Sequence, residues 1–173
     1  MLITRPNHDV TTNYLFYWSI SLIDLAVERK ISVSDLAKKR ANLKEFTSVV
    51  LKTTPTLIVL NGHGDDAAVT GYNNETLVNT DNCESLLSGS VVYTRSCKSA
   101  RKLGPQAILS GCRAYIGYDE DFVFVSEQAK VSHPLEDKTA QLFLEPSNQV
   151  VISLIKGHTP AESNRRSKEA YKR

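Results

Sequence analysis

A histidine set between two glycines and a cysteine 34 positions later (97 − 63 = 34) are the residues of this chain best placed to do chemistry together. His63 lies in the polar turn Asn61-Gly62-His63-Gly64-Asp65-Asp66, and Cys97 in the run Arg95-Ser96-Cys97. A thiol becomes a nucleophile near neutral pH when a base or cation draws off its proton. An imidazole can take that proton and later return it to a leaving amine. The flanking glycines let the backbone turn sharply and approach a substrate closely.

Other chemistries fit less well. A tyrosine-phosphatase loop needs five residues between Cys and Arg, so that the guanidinium and backbone amides wrap a phosphate. Here Cys97-Lys98-Ser99-Ala100-Arg101 leaves three. Histidines 8, 63, 133 and 158 and cysteines 83, 97 and 112 show no paired short spacing, so no metal is expected. Cys83, in or near a short helix, and Cys112, at the start of a strand, read as structural residues, Cys112 as a small buried hydrophobe. His133, before Pro134, and His158, after Gly157, read as surface positions.

Both candidate residues need strands to carry them. Leu57-Ile58-Val59-Leu60 is a short, wholly apolar run that suits a strand buried on both faces. Ser90-Val91-Val92-Tyr93-Thr94 reads as the next core strand. If the two are neighbours, His63 and Cys97 reach one crevice. Around them, Leu2–Thr4 reads as a strand, and Leu15, Trp18, Leu22 and Leu25 form one face of a helix running to about Arg29. Asp9, Thr11, Thr12 and Asn13 offer N-caps for it. Ile31 and Val33 alternate with serines as a short edge strand. A helix from about Asn42 ends at Thr54-Pro55, and Ala67–Val78 reads as a hairpin turning at Asn73-Asn74. Asp81 caps a short helix through Leu87, and a helix around Ala107–Leu109 ends near Gly111. Cys112–Gly117 is a strand, with a small extra strand at Phe122–Val125. A helix around Val150–Ile155 is broken by Gly157, and another starts near Pro160. Alternating strands and helices with short apolar strands predict an α/β fold: a mostly parallel sheet with helices on both faces. Ligands in such sheets sit beyond the carboxyl ends of the strands.

Composition sets the frame. The 173 residues make one domain, with a formal net charge of 21 − 19 = +2. That balance gives no reason to expect nucleic acid or anionic lipid as partner. The basic tail Arg165, Arg166, Lys168, Lys172, Arg173 is interspersed with Glu162 and Glu169, as on a solvated helix face. Three cysteines rule out a complete disulfide framework and point to a reduced, cytoplasmic setting. The most apolar early stretch, Tyr14–Val27, contains Ser19, Ser21 and Asp24. It is too short and polar to span a bilayer and lacks the marks of a secretory signal.

Thr56-Leu57-Ile58-Val59-Leu60-Asn61-Gly62-His63-Gly64 and Ser90-Val91-Val92-Tyr93-Thr94-Arg95-Ser96-Cys97-Lys98-Ser99 resemble the His-Gly and Cys signatures of caspase-fold cysteine peptidases, the group of caspases, metacaspases, gingipains, separase and bacterial CHAT domains. Gly111–Gly117 and Leu154–Glu162 are most similar to CHAT domains. The resemblance covers nearly the whole chain, with its motifs in the expected order. It implies a caspase-like three-layer sandwich and peptide-bond hydrolysis through an acyl-enzyme. Cys97 would be the nucleophile, His63 the general acid/base, and the backbone N–H groups of Gly64 and Cys97 the oxyanion donors. No cofactor is implied. Ser96 matches the small residue that precedes the nucleophile in many relatives, whereas Ser99-Ala100 stands where they carry Gly.

Specificity is also read from this likeness. Arg95, two before the nucleophile, and Arg5, after the first strand, would form a pocket for an acidic side chain; Asp119-Glu120-Asp121 opposes this, since carboxylates lining the pocket would favour a basic residue or Asp119 would neutralise Arg95. The partner is a protein substrate, with control by a partner chain, self-association or processing. The alternative is a catalytically silent caspase-fold subunit that works through interaction.

Overall fold

The computed structural model describes residues 1–172. In chain order the elements are β1 (Leu2–Arg5), α1 (Val10–Trp18), α2 (Ile20–Glu28), β2 (Ser34–Ala37), α3 (Leu43–Thr53), β3 (Leu57–Asn61), β4 (Ala68–Thr70), β5 (Thr76–Asn79), α4 (Cys83–Leu87), β6 (Val91–Arg95), α5 (Leu103–Leu109), β7 (Ala114–Ile116), α6 (Lys138–Ile155) and α7 (Pro160–Ala170).

Five strands form one sheet in the order β2-β1-β3-β6-β7, and each neighbouring pair is parallel. Side chains alternate between its faces. Leu2, Ile58, Leu60 and Val92 pack with Phe46 and Val50 of α3, Leu86 and Leu87 of α4, and Leu103 and Ala107 of α5. Ile3, Val59, Tyr93 and Ile116 pack with Leu22 and Ala26 of α2 and Val150, Val151 and Ile155 of α6. The fold is therefore α/β with helices on both faces of a parallel sheet, as expected. Ile58, Val59 and Leu60 are wholly buried, and each such side chain stabilises the fold by about 1.5–3 kcal/mol. Among the described residues no helix is long and apolar enough to cross a membrane.

The strand order has a functional consequence. The chain leaves β1 toward β2 on one side, then returns to β3 on the other. The connections following β1 and β3 therefore run to opposite faces of the sheet, and the carboxyl edge where they part is the usual ligand position in such sheets.

Four elements differ from the sequence expectation. The helix expected through Arg29 is two helices that meet at Ser19, whose hydroxyl donates to Leu15 O at 2.6 Å. The second strand is Ser34–Ala37, because the ladder begins where β1 begins, Leu2 opposite Ser34. Phe122–Val125 alternates as a strand would, with Val123 and Val125 exposed, but it pairs with no other strand. Its two phenylalanines pack against the cluster of Tyr14, Leu15, Trp18, Ala140 and Leu144. Finally, α6 is 18 residues long and runs through Pro146. Leu142, four residues earlier, is exposed, so a carbonyl freed there meets solvent.

Candidate active site

β3 and β6 lie side by side with Asn61 opposite Arg95. His63 and Cys97 each follow their strand's last residue by two positions, so adjacent strands deliver both to the same edge. The two turns are in direct contact. A Cβ added to Gly64 would stand 2.9 Å from Ser96 Cβ and 2.7 Å from Ala68 O. One added to Gly62 would stand 2.0 Å from Thr70 O. Only glycine lets β4 fold back this tightly over the His63 turn, where Thr70 N donates to His63 O at 2.9 Å. The expected hairpin is present: β4 and β5 are antiparallel, and Asn73 and Asn74 take positive φ at its tip.

The Cys97 loop is stitched on both sides. Lys98 N donates to Glu120 O, and Ala100 N to Tyr118 O, each at 3.0 Å. On the other side Asp66 O accepts from Lys102 N and Leu103 N, which ties the loop after β3 to the start of α5. Lys98 adopts φ of 55°, so the residue after Cys97 takes the left-handed conformation that glycine favours.

Cys97 is half-buried, and Cys83 and Cys112 are buried; all three are free thiols. Burial pushes the Cys97 thiol above its ordinary value, and the Asp121 carboxylate beside it acts in the same direction. The backbone of Phe122 and the Lys98 ammonium oppose this with less effect. Cys97 makes no hydrogen bond to His63, and the surroundings of the thiol favour its protonated form. Among the described residues the backbone N–H groups of Gly64 and Cys97 donate to no acceptor.

His63 is held by a residue that the spacing argument did not single out. Its Nε2 lies 2.6 Å from Asp9 Oδ2. Asp9 follows β1 and caps α1: Oδ1 accepts from Thr12 N at 2.8 Å and from the Thr12 hydroxyl at 2.9 Å. The other oxygen is left aimed at the imidazole. Partial burial raises the Asp9 carboxyl, but Thr12 and His63 together outweigh it and hold the group below the usual value. A carboxylate on Nε2 places the proton there and leaves the lone pair on Nδ1. The available signal in the sequence was an N-cap carboxylate immediately after the first strand, at the end of the sheet where His63 emerges. His8 joins the group, with its Nε2 3.5 Å from Asp9 Oδ2.

The expected specificity residues are engaged elsewhere. Arg95 is fully buried. Its guanidinium donates to Asn61 Oδ1 at 2.7 Å, Asn148 Oδ1 at 2.8 Å, Ser19 Oγ at 2.6 Å and Ser147 Oγ at 3.4 Å. Among the described residues no carboxylate touches it, and with no exposed surface it cannot line a substrate pocket. Alternation along β6 puts Arg95 on the same face as Tyr93, under α6. Arg5 is also internal: it forks onto the Asp35 carboxylate, donates to Phe16 O at 3.0 Å and lies over the Phe16 ring. Asp119 is exposed and its carbonyl accepts from Arg101, so it does not neutralise Arg95. With both arginines inside the fold, the acidic preference at the cleavage site loses its support. A cavity on the α6–α7 surface, lined by Gln149, Arg165, Arg166, Glu169 and Ala170, contains none of the candidate residues.

The fold and site define an α/β protein with a cysteine and a carboxylate-held histidine at the carboxyl edge of neighbouring parallel strands. No family model, curated protein or solved structure matches the chain. A functional reading therefore stands on this chain's own residues and geometry.

Proposed function

We propose that the protein is a cysteine endopeptidase in which Cys97 attacks the scissile carbonyl and His63 is the general acid/base. The observation that carries this reading is the pairing of β3 with β6 in register, Asn61 opposite Arg95, which sends His63 and Cys97 to one edge. Asp9 orients the imidazole and stabilises the imidazolium that forms when the thiol proton moves. The unspent N–H groups of Gly64 and Cys97 are the donors for the oxyanion that develops in the tetrahedral intermediate. Because the surroundings of the thiol favour its protonated form, proton transfer accompanies substrate binding and attack. The acyl-enzyme is then hydrolysed by water activated by the same imidazole.

A second reading is a catalytically silent subunit of the same fold. One observation favours it: Asp121 beside Cys97 opposes the thiolate. A peptidyl acyloxymethyl ketone probe separates the two. Under the peptidase reading it labels Cys97, and labelling falls to background in Cys97→Ala and His63→Ala proteins of unchanged fold. Labelling that ignores His63, together with no cleavage of a diverse peptide library, supports the silent subunit.

A further inference from the structure

We infer that His8, Asp9 and His63 form a binding site for a zinc-class divalent cation where the loops after β1 and β3 meet. The second part of the inference, that this cation switches off peptide hydrolysis, rests on the peptidase reading above; the first part does not.

The topology brings these residues together. His8 and Asp9 leave β1, and His63 leaves β3, on the two sides of the point where the strand order reverses. One ligand atom from each, two imidazole nitrogens and a carboxylate oxygen, lie within 4.8 Å of one another. That donor set suits zinc and its first-row neighbours better than calcium or magnesium, which take oxygen. Tetrahedral zinc with bonds of about 2.0–2.1 Å holds its ligand atoms about 3.3 Å apart. His8 Nε2 already stands 3.5 Å from Asp9 Oδ2. His63 Nε2, at 2.6 Å, is hydrogen-bonded to the same oxygen. On metal binding the Nε2 proton of His63 exchanges through solvent to Nδ1, so the imidazole stays neutral and ligates through Nε2, and the pair opens by about 0.7 Å.

The ligands are pre-set. Asp9 is fixed through its other oxygen by Thr12 N and Oγ1, the outer-shell support that ligating carboxylates use. The His8 side chain is 9% exposed. Its ring packs edge-on to Tyr72 at 5.5 Å, and its Nδ1 is buried without a partner, so packing sets its aim. Asn74 Oδ1, at the hairpin tip, lies 3.3 Å from His8 Nε2 and is in reach as a fourth ligand. Among the described residues no other group of three such side chains converges in this way.

A cation here takes Nε2 of His63 and separates it from Asp9. The imidazole then carries the cation on Nε2 and its proton on Nδ1, so it has no lone pair left to accept the thiol proton from Cys97. Binding and hydrolysis exclude one another.

The test uses the tag-free chain with Zn2+ in calorimetry and Co2+ in visible spectroscopy. Wild type should bind one Zn2+ per chain and give the intense d–d bands of four-coordinate Co2+ without a sulfur-to-cobalt charge-transfer band. His8→Ala should weaken binding at least about tenfold, and Cys97→Ser should leave it unchanged. No zinc binding by wild type, unchanged affinity in His8→Ala, or loss in Cys97→Ser would overturn the site. Where cleavage is measurable, Zn2+ should inhibit wild type, and His8→Ala, each rate taken relative to its own zinc-free rate, should need at least about tenfold more Zn2+ for the same fractional inhibition. Equal zinc sensitivity of the two proteins would overturn the switch. Cobalt spectra remain readable in a protein with no peptidase activity, so failure of one reading is distinguishable from failure of the other.

Discussion

Replacing Arg95 with methionine separates an internal structural role from a role in a substrate pocket. Among the described residues the guanidinium is the sole donor to Asn61 Oδ1 and Asn148 Oδ1. Ser19 Oγ keeps its bond to Leu15 O, and Ser147 Oγ keeps its bond to Leu144 O. The substitution therefore orphans two buried amide oxygens, at about 1–3 kcal/mol each. Removing a buried cation that has no counter-ion works the other way, so the net loss is about 3 kcal/mol. With a urea dependence of about 2 kcal/mol per molar, the unfolding midpoint should fall by about 1.5 M. Trp18 is the natural reporter: it is the only tryptophan, it is buried, and its carbonyl accepts from Asn148 Nδ2 at 2.7 Å. A midpoint within about 0.3 M of wild type would refute the buried network and return Arg95 to the surface.

The thiol chemistry should show its own pH signature. Burial and Asp121 hold Cys97 protonated past the ordinary thiol range. Its alkylation by iodoacetamide in the substrate-free protein should rise only on the alkaline side, and Asp121→Asn should move the profile toward lower pH; a rate already at its plateau below neutrality would contradict this. Asp9→Asn should keep the helix cap and Tm, whereas Asp9→Ala should cost about 1 kcal/mol and lower Tm by about 3 °C. Both should cut probe labelling of Cys97 if Asp9 orients His63, and full labelling in both would remove it from the site. Gly62→Ala forces a Cβ to within 2.0 Å of Thr70 O and should destabilise by about 1–3 kcal/mol. Amide exchange at Val69 and Val78 should accelerate, and unchanged exchange there would show that the hairpin does not depend on this glycine.

Elements whose identity depends on local chemistry were legible in the sequence. The apolar β3 and β6, the Asn73-Asn74 turn and the glycine ends at Gly111 and Gly157 all appear where the residues place them. What was not legible depends on partners distant in the chain. Phe122 and Phe124 alternate with exposed valines, yet whether that makes a strand depends on a ladder partner, and aromatic packing on α1 and α6 takes its place. The break at Ser19 stands where its hydroxyl meets Arg95, 76 positions away. In the candidate site, His63 and Cys97 were visible because each follows a buried strand. Asp9 was visible only as a cap, since a side chain with two oxygens can serve two partners and the sequence declares one. Distance from the nucleophile does not determine the orientation of Arg95, and alternation along β6 sends it under α6.

The bonds of Arg95 also set an order of events during synthesis. They join Ser19, Asn61, Ser147 and Asn148, so they span the chain from the α1–α2 junction to the middle of α6. As the polypeptide leaves the ribosome, β3 and β6 are complete long before residues 147–148 emerge. Until then Arg95 lacks two of its acceptors and stays a hydrated cation at the end of the strand that carries Cys97. The edge that presents the thiol and imidazole therefore gains two of the four bonds beneath it only after residues 147–148 have been made.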